Sequence, residues 1–202
     1  MNIIVLFFIY NLLYLILDIF YKKYKKEELF RKIAHIWTGL ITFFSLNYLV
    51  LYDYWILVIL FLIEFIFIRK YDLVKFMTSN KRWYWDIYFI LWQAILIWFM
   101  NYNIIFTQIW LLILTLSDWL APFWKKFFNK KLYKEKTIWG SLVFFTISLL
   151  ILFIYWWLNL QIFLIALFLT IIELISFKWW DNLLLPIFTI LALYFYDKIL
   201  YL

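Results

Sequence analysis

With no cysteine, one histidine and twelve Asp and Glu among 202 residues, this chain must build any acid–base or metal chemistry mainly from carboxylates. Asp118 stands out: LLILTLS precedes it and WLAPF follows. An acid set that far into apolar surroundings is costly and normally faces a partner, a cavity or an ion. It reads as a metal or phosphate-site carboxylate, the plain alternative being a salt bridge to a nearby loop lysine. Asp181 and Asn182 offer hard oxygens suited to a cation such as Mg²⁺, which is usually held by one or two carboxylates together with substrate phosphates. Their plain alternative is an Asx-type turn capping the following helix. Glu173 and Ser176 share a helical face just before them, and Pro186 follows. Glu64, deep in an apolar run, reads as satisfying a buried polar group, the alternative being contact with a substrate hydroxyl, and Asp86 lies near the start of another run.

Two stretches could hold phosphate. The lysine-rich KKFFNKKLYKEK ends at Lys136 and leads into Thr137, Gly140 and Ser141. Thr137 can N-cap the next helix, whose free N–H groups and dipole favour an anion, and Ser141 adds a hydroxyl one turn further in. Arg31, His35 and Gly39 recur at i, i+4 and i+8 with Lys32 alongside, so they form one helical stripe. There the guanidinium is a planar fork and the ammonium a point charge. The plain alternative is an orientation signal followed by a histidine hydrogen-bonded in the interior. Neither G-x-x-x-x-G-K-[ST] nor G-x-G-x-x-G occurs, which excludes the glycine-rich phosphate loops.

The elements that must position these residues are membrane spans. Hydrophobic residues make up 69% of the chain and charged residues 15%, too much apolar surface for a water-soluble domain to hide. A span needs about 20 apolar residues, and eight fit, near 2–21, 33–50, 54–68, 84–100, 104–121, 138–157, 160–177 and 183–201. Seven remains possible, because the third and fifth are short. Every Lys and Arg except Lys198 falls in 22–32, 69–82, 125–136 or 178–182, whereas the turns near 47–54, 101–103 and 159–161 hold none. This alternation is the positive-inside pattern. It predicts an all-α, polytopic bundle forming a single integral membrane domain over 1–202. The four basic stretches are then cytoplasmic loops of a cell-membrane protein with both termini outside. The same pattern accounts for the net charge of +7 without nucleic acid, since anionic headgroups meet those loops. Trp83/Trp85, Trp156/Trp157 and Trp179/Trp180 sit at span ends, as interfacial belts do.

Taken together, three blocks resemble the dolichol kinase, phytol kinase and CTP-dependent diacylglycerol kinase family, which is related to the phosphatidate cytidylyltransferases. Arg31-Lys32-x-x-His35-x-x-x-Gly39 resembles its amino-terminal block. Asp118-x-x-Ala121, the lysine loop and Lys136-Thr137-x-x-Gly140-Ser141 resemble its central block. Glu173-x-x-Ser176 with Asp181-Asn182-x-x-x-Pro186 resembles its terminal block. The likeness runs from about residue 27 to 190. It departs at Trp124-Lys125 and Asn129-Lys130, where the family usually has Gly-Lys pairs, and at Trp139, where it has Glu.

The resemblance implies Mg²⁺-dependent transfer of a phosphoryl group from CTP to a membrane-embedded polyprenol, phytol-like alcohol or diacylglycerol. Asp118, Asp181 and Asn182 would hold the ion. Arg31, Lys32, His35, Lys136, Thr137, Gly140 and Ser141 would meet the nucleotide, and Asp118 or Glu173 would take the hydroxyl proton. A cytidylyltransferase using the same site is the near alternative, although that branch's His-Gly-Gly…Asp-Arg ending is missing. An inactive binding relative or a small-solute transporter are the alternatives of another class. The transporter would require a repeat and broken mid-membrane helices, which the sequence does not show.

Overall fold

The computed structural model describes residues 2–78, 94, 98, 103–125, 131–133, 136–157, 159–176 and 181–200. The chain divides into two compact units, Met1–Asn101 and Tyr102–Leu202. Both are predominantly helical among the described residues. The predicted span 84–100, Asp86 and the tryptophan pairs at 83/85 and 179/180 lie outside the described residues, apart from positions 94 and 98.

In the first unit, α1 (Ile3–Tyr24), α2 (Glu27–Ser45) and α3 (Leu51–Tyr71) are followed by the one-turn α4 (Lys75–Thr78). Asn2 starts α1 by accepting the Ile4 N–H at 2.9 Å. α1 buries Leu6, Tyr10, Tyr14, Leu17 and Asp18, a single stripe at helical spacing, and exposes Ile4, Phe8, Leu12, Leu15 and Ile19. Apolar side chains on every face mark a helix whose surroundings are themselves apolar. α1, α3 and the later helix Ile138–Tyr155 are each long and apolar enough to cross a membrane. The protein therefore belongs in a membrane.

Charge density misplaced two boundaries of the sequence reading. Residues 22–32 do not form a loop. α1 continues to Tyr24, Lys25 turns left-handed at φ 52°, and α2 resumes at Glu27. Lysine and glutamate are good helix formers, so a basic run need not interrupt a helix. At its far end α2 stops at Ser45, five residues short of the predicted end at 50. The third basic stretch, 125–136, is not wholly irregular either. Lys131–Tyr133 pairs antiparallel with Lys136–Thr137 in a two-stranded ribbon, the one sheet among the described residues.

α2 faces α1 and α3 with hydroxyls. Tyr10 and Thr42 share a 2.6 Å hydrogen bond, and Ser45 and Tyr54 share one of 2.7 Å. Thr38, Thr42 and Ser45 each also donate to a carbonyl three or four residues back. Every polar group on this face therefore has a partner, as apolar surroundings require.

In the second unit, α5 (Ile104–Lys125), α6 (Ile138–Tyr155), α7 (Leu160–Ile175) and α8 (Asp181–Leu200) pack in the cyclic order α5–α6–α7–α8–α5. The short links 156–159 and 176–180 make neighbours antiparallel, giving an up-down four-helix arrangement. One end is closed by aromatics. Trp156 lies 6.0 Å from Phe106 and 5.4 Å from Tyr196 between ring centroids. Asn159 N-caps α7 through the Ile162 N–H at 2.8 Å and donates to the Tyr196 hydroxyl at 3.1 Å. Asn103 caps α5 in the same way, accepting from the Ile105 N–H at 2.9 Å.

Candidate active site

The aromatic end serves as a ruler for the opposite one. Asp118 lies 12 residues beyond Phe106, Ser141 lies 15 before Trp156, Glu173 lies 14 beyond Asn159, and Asp181 lies 15 before Tyr196. At 1.5 Å per residue these counts put all four Cα positions about 18–23 Å from the aromatic cluster. Residues from four different helices thus reach one level of the second unit, and Asn182 shares it from the first turn of α8. The charge pattern predicts a turn at Asp181 and Asn182, with the helix starting at 183. Instead the helix begins at Asp181. The side chains of Asp118, Asp181 and Asn182 lie outside the described set, as does that of Arg31.

Where side chains are described, the contacts are specific. Lys136, on the second strand of the ribbon, forms an ion pair with Glu173 Oε1. Both are mostly buried, with side-chain exposures of 19% and 14%. This ties the start of α6 to the end of α7. The other carboxylate oxygen, Oε2, is buried without a hydrogen-bond partner. Ser176 donates to the Glu173 carbonyl at 2.7 Å and closes the last turn of α7.

Thr137 takes the capping role its sequence position foretold. Its Oγ1 accepts the Gly140 N–H at 3.1 Å, and Thr137, Gly140 and Ser141 are all buried. Losing a threonine cap typically costs about 1 kcal/mol. Thr137→Ala should therefore lower stability by about that much in a detergent unfolding titration, and Thr137→Ser should restore most of it. If Thr137→Ala unfolds like wild type, the cap contributes nothing.

The amino-terminal block lies in the first unit, on α2. Lys32 and His35 are half-buried and Gly39 is buried. A buried row on the same helix, Ala34–Thr38–Thr42–Ser45, bonds instead to Tyr10 of α1 and Tyr54 of α3. Glu64, on α3, accepts from Asn11 Nδ2 at 3.4 Å, consistent with its reading as a partner for a buried polar group.

Asp18 escaped the sequence reading. It is 3% exposed, its Oδ1 accepts the Lys75 N–H at 2.6 Å, and its Oδ2 pairs with Lys22 at 2.7 Å. It caps α4 from another helix and so fastens the second basic stretch to the end of α1. Its signal was available: an acid breaking the run LYLILDIF at helical spacing from Tyr14 and Lys22. A buried carboxylate bonded to backbone is worth about 1.5–3 kcal/mol. Asp18→Ala should therefore lose roughly that stability and expose residues 72–78 to limited proteolysis. An unchanged cleavage pattern would show that the segment is held by other means.

Among the described residues no group of three His, Cys, Asp or Glu comes together to hold a metal. The side chains of Asp118 and Asp181 are outside that set. As a donor set, two carboxylates and a side-chain amide suit a hard divalent cation. Compared with family models, with curated proteins and with solved structures, the chain matches none of them.

Proposed function

We propose that this chain is a CTP-dependent kinase acting on a membrane-embedded lipid alcohol, with its site at the ribbon end of the second unit. The observation that carries the reading is the common level of Asp118, Lys136, Thr137, Ser141, Glu173, Asp181 and Asn182, drawn from both ordered blocks of that unit. Phosphoryl transfer depends mainly on positioning and charge neutralisation, and this set supplies both. The lipid tail stays in the bilayer, because each buried CH₂ contributes about 0.8 kcal/mol. The hydroxyl must therefore be met where the helices end.

Asp118, Asp181 and Asn182 would hold Mg²⁺, which when bound neutralises phosphate charge. Lys136 and the capped start of α6 offer positive charge and N–H groups to the nucleotide. Eight spans, with the basic stretches and the site on the cytoplasmic side of the cell membrane, complete the reading. It is supported by the asparagine caps on α1, α5 and α7, all at predicted outer ends and all uncharged.

The test uses purified protein, Mg²⁺, a panel of lipid alcohols and CTP labelled at either the α or the γ phosphate. A kinase passes the γ label to lipid. Transfer of the α label with the cytidine would make the protein a nucleotidyltransferase, and transfer of neither would end the enzymatic reading.

A further inference from the structure

Hydroxyls in apolar helices commonly donate to a carbonyl three or four residues back, and Thr38, Thr42, Ser45, Thr146, Thr170 and Ser176 all do so. Ser141 does not. Its Oγ is buried and has no hydrogen-bond partner. Glu173 Oε2 is in the same condition, while Oε1 receives Lys136. Buried polar atoms in this state are uncommon and call for an explanation.

The two residues lie at one level of neighbouring helices. α6 and α7 are antiparallel across residues 156–159. Ser141 lies 14 residues before Tyr155 and Glu173 lies 13 after Leu160, which puts them about 21 and 20 Å from that turn. Lys136, five residues before Ser141, already reaches Glu173. Ser117 and Ser148 also carry unpartnered hydroxyls; Ser148 lies two turns deeper on α6 than Ser141, and Ser117 lies on α5, next to Asp118.

The chemistry of the pair is selective. A carboxylate oxygen accepts and cannot donate, whereas a serine hydroxyl can donate. A group that satisfies both must offer one hydrogen and one lone pair. A phosphate oxygen offers no hydrogen and is repelled by the carboxylate, and an ammonium offers no lone pair. A hydroxyl offers both.

We propose that Ser141 and Glu173 form the acceptor-alcohol subsite, with the lipid hydroxyl donating to Glu173 Oε2 and accepting from Ser141 Oγ. This moves Ser141 from the nucleotide to the alcohol and selects Glu173 over Asp118 as the proton acceptor. The transfer step rests on the kinase reading. In it, the alcohol oxygen bonds to the γ phosphorus. The bond from that phosphorus to the β–γ bridging oxygen breaks, and its electron pair leaves with the nucleoside diphosphate. The hydroxyl proton passes to Glu173 Oε2. Lys136 is a positioning residue: by holding Oε1 it leaves Oε2 as the open acceptor.

The test photolabels the purified protein in nanodiscs with a diazirine-bearing farnesol. Farnesol and dioctanoylglycerol compete with it, each set against its own methyl ether, which accepts a hydrogen bond but cannot donate one. At least one alcohol should compete about tenfold better than its ether, as one lost hydrogen bond to a charged group predicts. Whichever alcohol does so identifies the tail. The preference should shrink in Ser141→Ala and Glu173→Gln and persist in Ser148→Ala. In turnover assays Ser141→Ala should raise KM for the alcohol about tenfold and leave KM for CTP unchanged.

Equal competition by alcohol and ether in wild type, or a Ser141→Ala effect confined to KM for CTP, overturns the subsite. A wild-type protein that transfers no label sinks the kinase reading alone, because the competition still decides whether a hydroxyl is bound. Should Glu173→Gln fail to fold, Ser141→Ala, which keeps the ion pair, carries the test.

Discussion

Asp118→Asn is expected to reduce phosphoryl transfer to lipid by about a hundred- to a thousandfold, a loss typical of removing one preorganised electrostatic group from an active site. The substitution keeps the side chain's shape, removes the negative charge and turns one acceptor oxygen into an N–H donor. A helix interior tolerates asparagine at a cost well under 1 kcal/mol, so insertion, monodispersity in detergent and thermal stability should stay near wild type. The two readings of Asp118 therefore separate cleanly. A metal or phosphate-site carboxylate loses turnover and keeps stability. A salt bridge to a loop lysine loses stability and keeps turnover per folded molecule. Wild-type rates in a stable Asp118→Asn protein would remove this residue from the chemistry.

The second large effect concerns Lys136 and Glu173. Removing one member of a fully buried ion pair typically costs about 3–5 kcal/mol, because the other charge is left uncompensated. Exposed pairs contribute less than about 1 kcal/mol. At 19% and 14% side-chain exposure this pair falls between those limits. Lys136→Met and Glu173→Leu should each lose about 2 kcal/mol in a reversible denaturant titration of the protein in mixed micelles. The double substitution should recover most of that loss, because apolar replacements of similar volume leave no stranded charge. Additive losses would show that the two residues act independently and that their contact is not energetically coupled. Activity should not return with stability, since the double variant lacks the acceptor oxygen.

Much of the helical layout was legible because a membrane simplifies the code. Apolar runs bounded by charge or asparagine must be helices, as each backbone group needs an internal partner. Predicted starts at 104, 138 and 160 coincide with those of α5, α6 and α7. The same shortcut failed where charge was taken to mean loop. Lys22, Lys23, Arg31 and Lys32 are helical, and only the left-handed Lys25 and its neighbour interrupt the run. The Lys131–Thr137 ribbon was illegible because its strands are too short for an alternating pattern to register. Within the site, Thr137 was readable because capping is local, resting on one side chain and an N–H three residues on. The Lys136–Glu173 pair was not. Sequence named both residues but could not show that a salt link spans them, since that depends on how α7 folds back along α6. Asp18 was missed because its partner N–H lies 57 residues away.

The α6–α7 pair has a consequence for how the protein is made. Residues 137–172 contain no Asp, Glu, Lys, Arg or His, and the first ionisable groups met on leaving that stretch are Lys136 and Glu173, which bind each other. In the proposed multi-pass arrangement the hairpin threads into a bilayer tip first, carrying only a tryptophan- and asparagine-bearing turn to the far side. No formal charge has to be translocated. The two ends that remain behind neutralise one another as soon as they meet, so the last step of insertion is also the step that latches the hairpin shut.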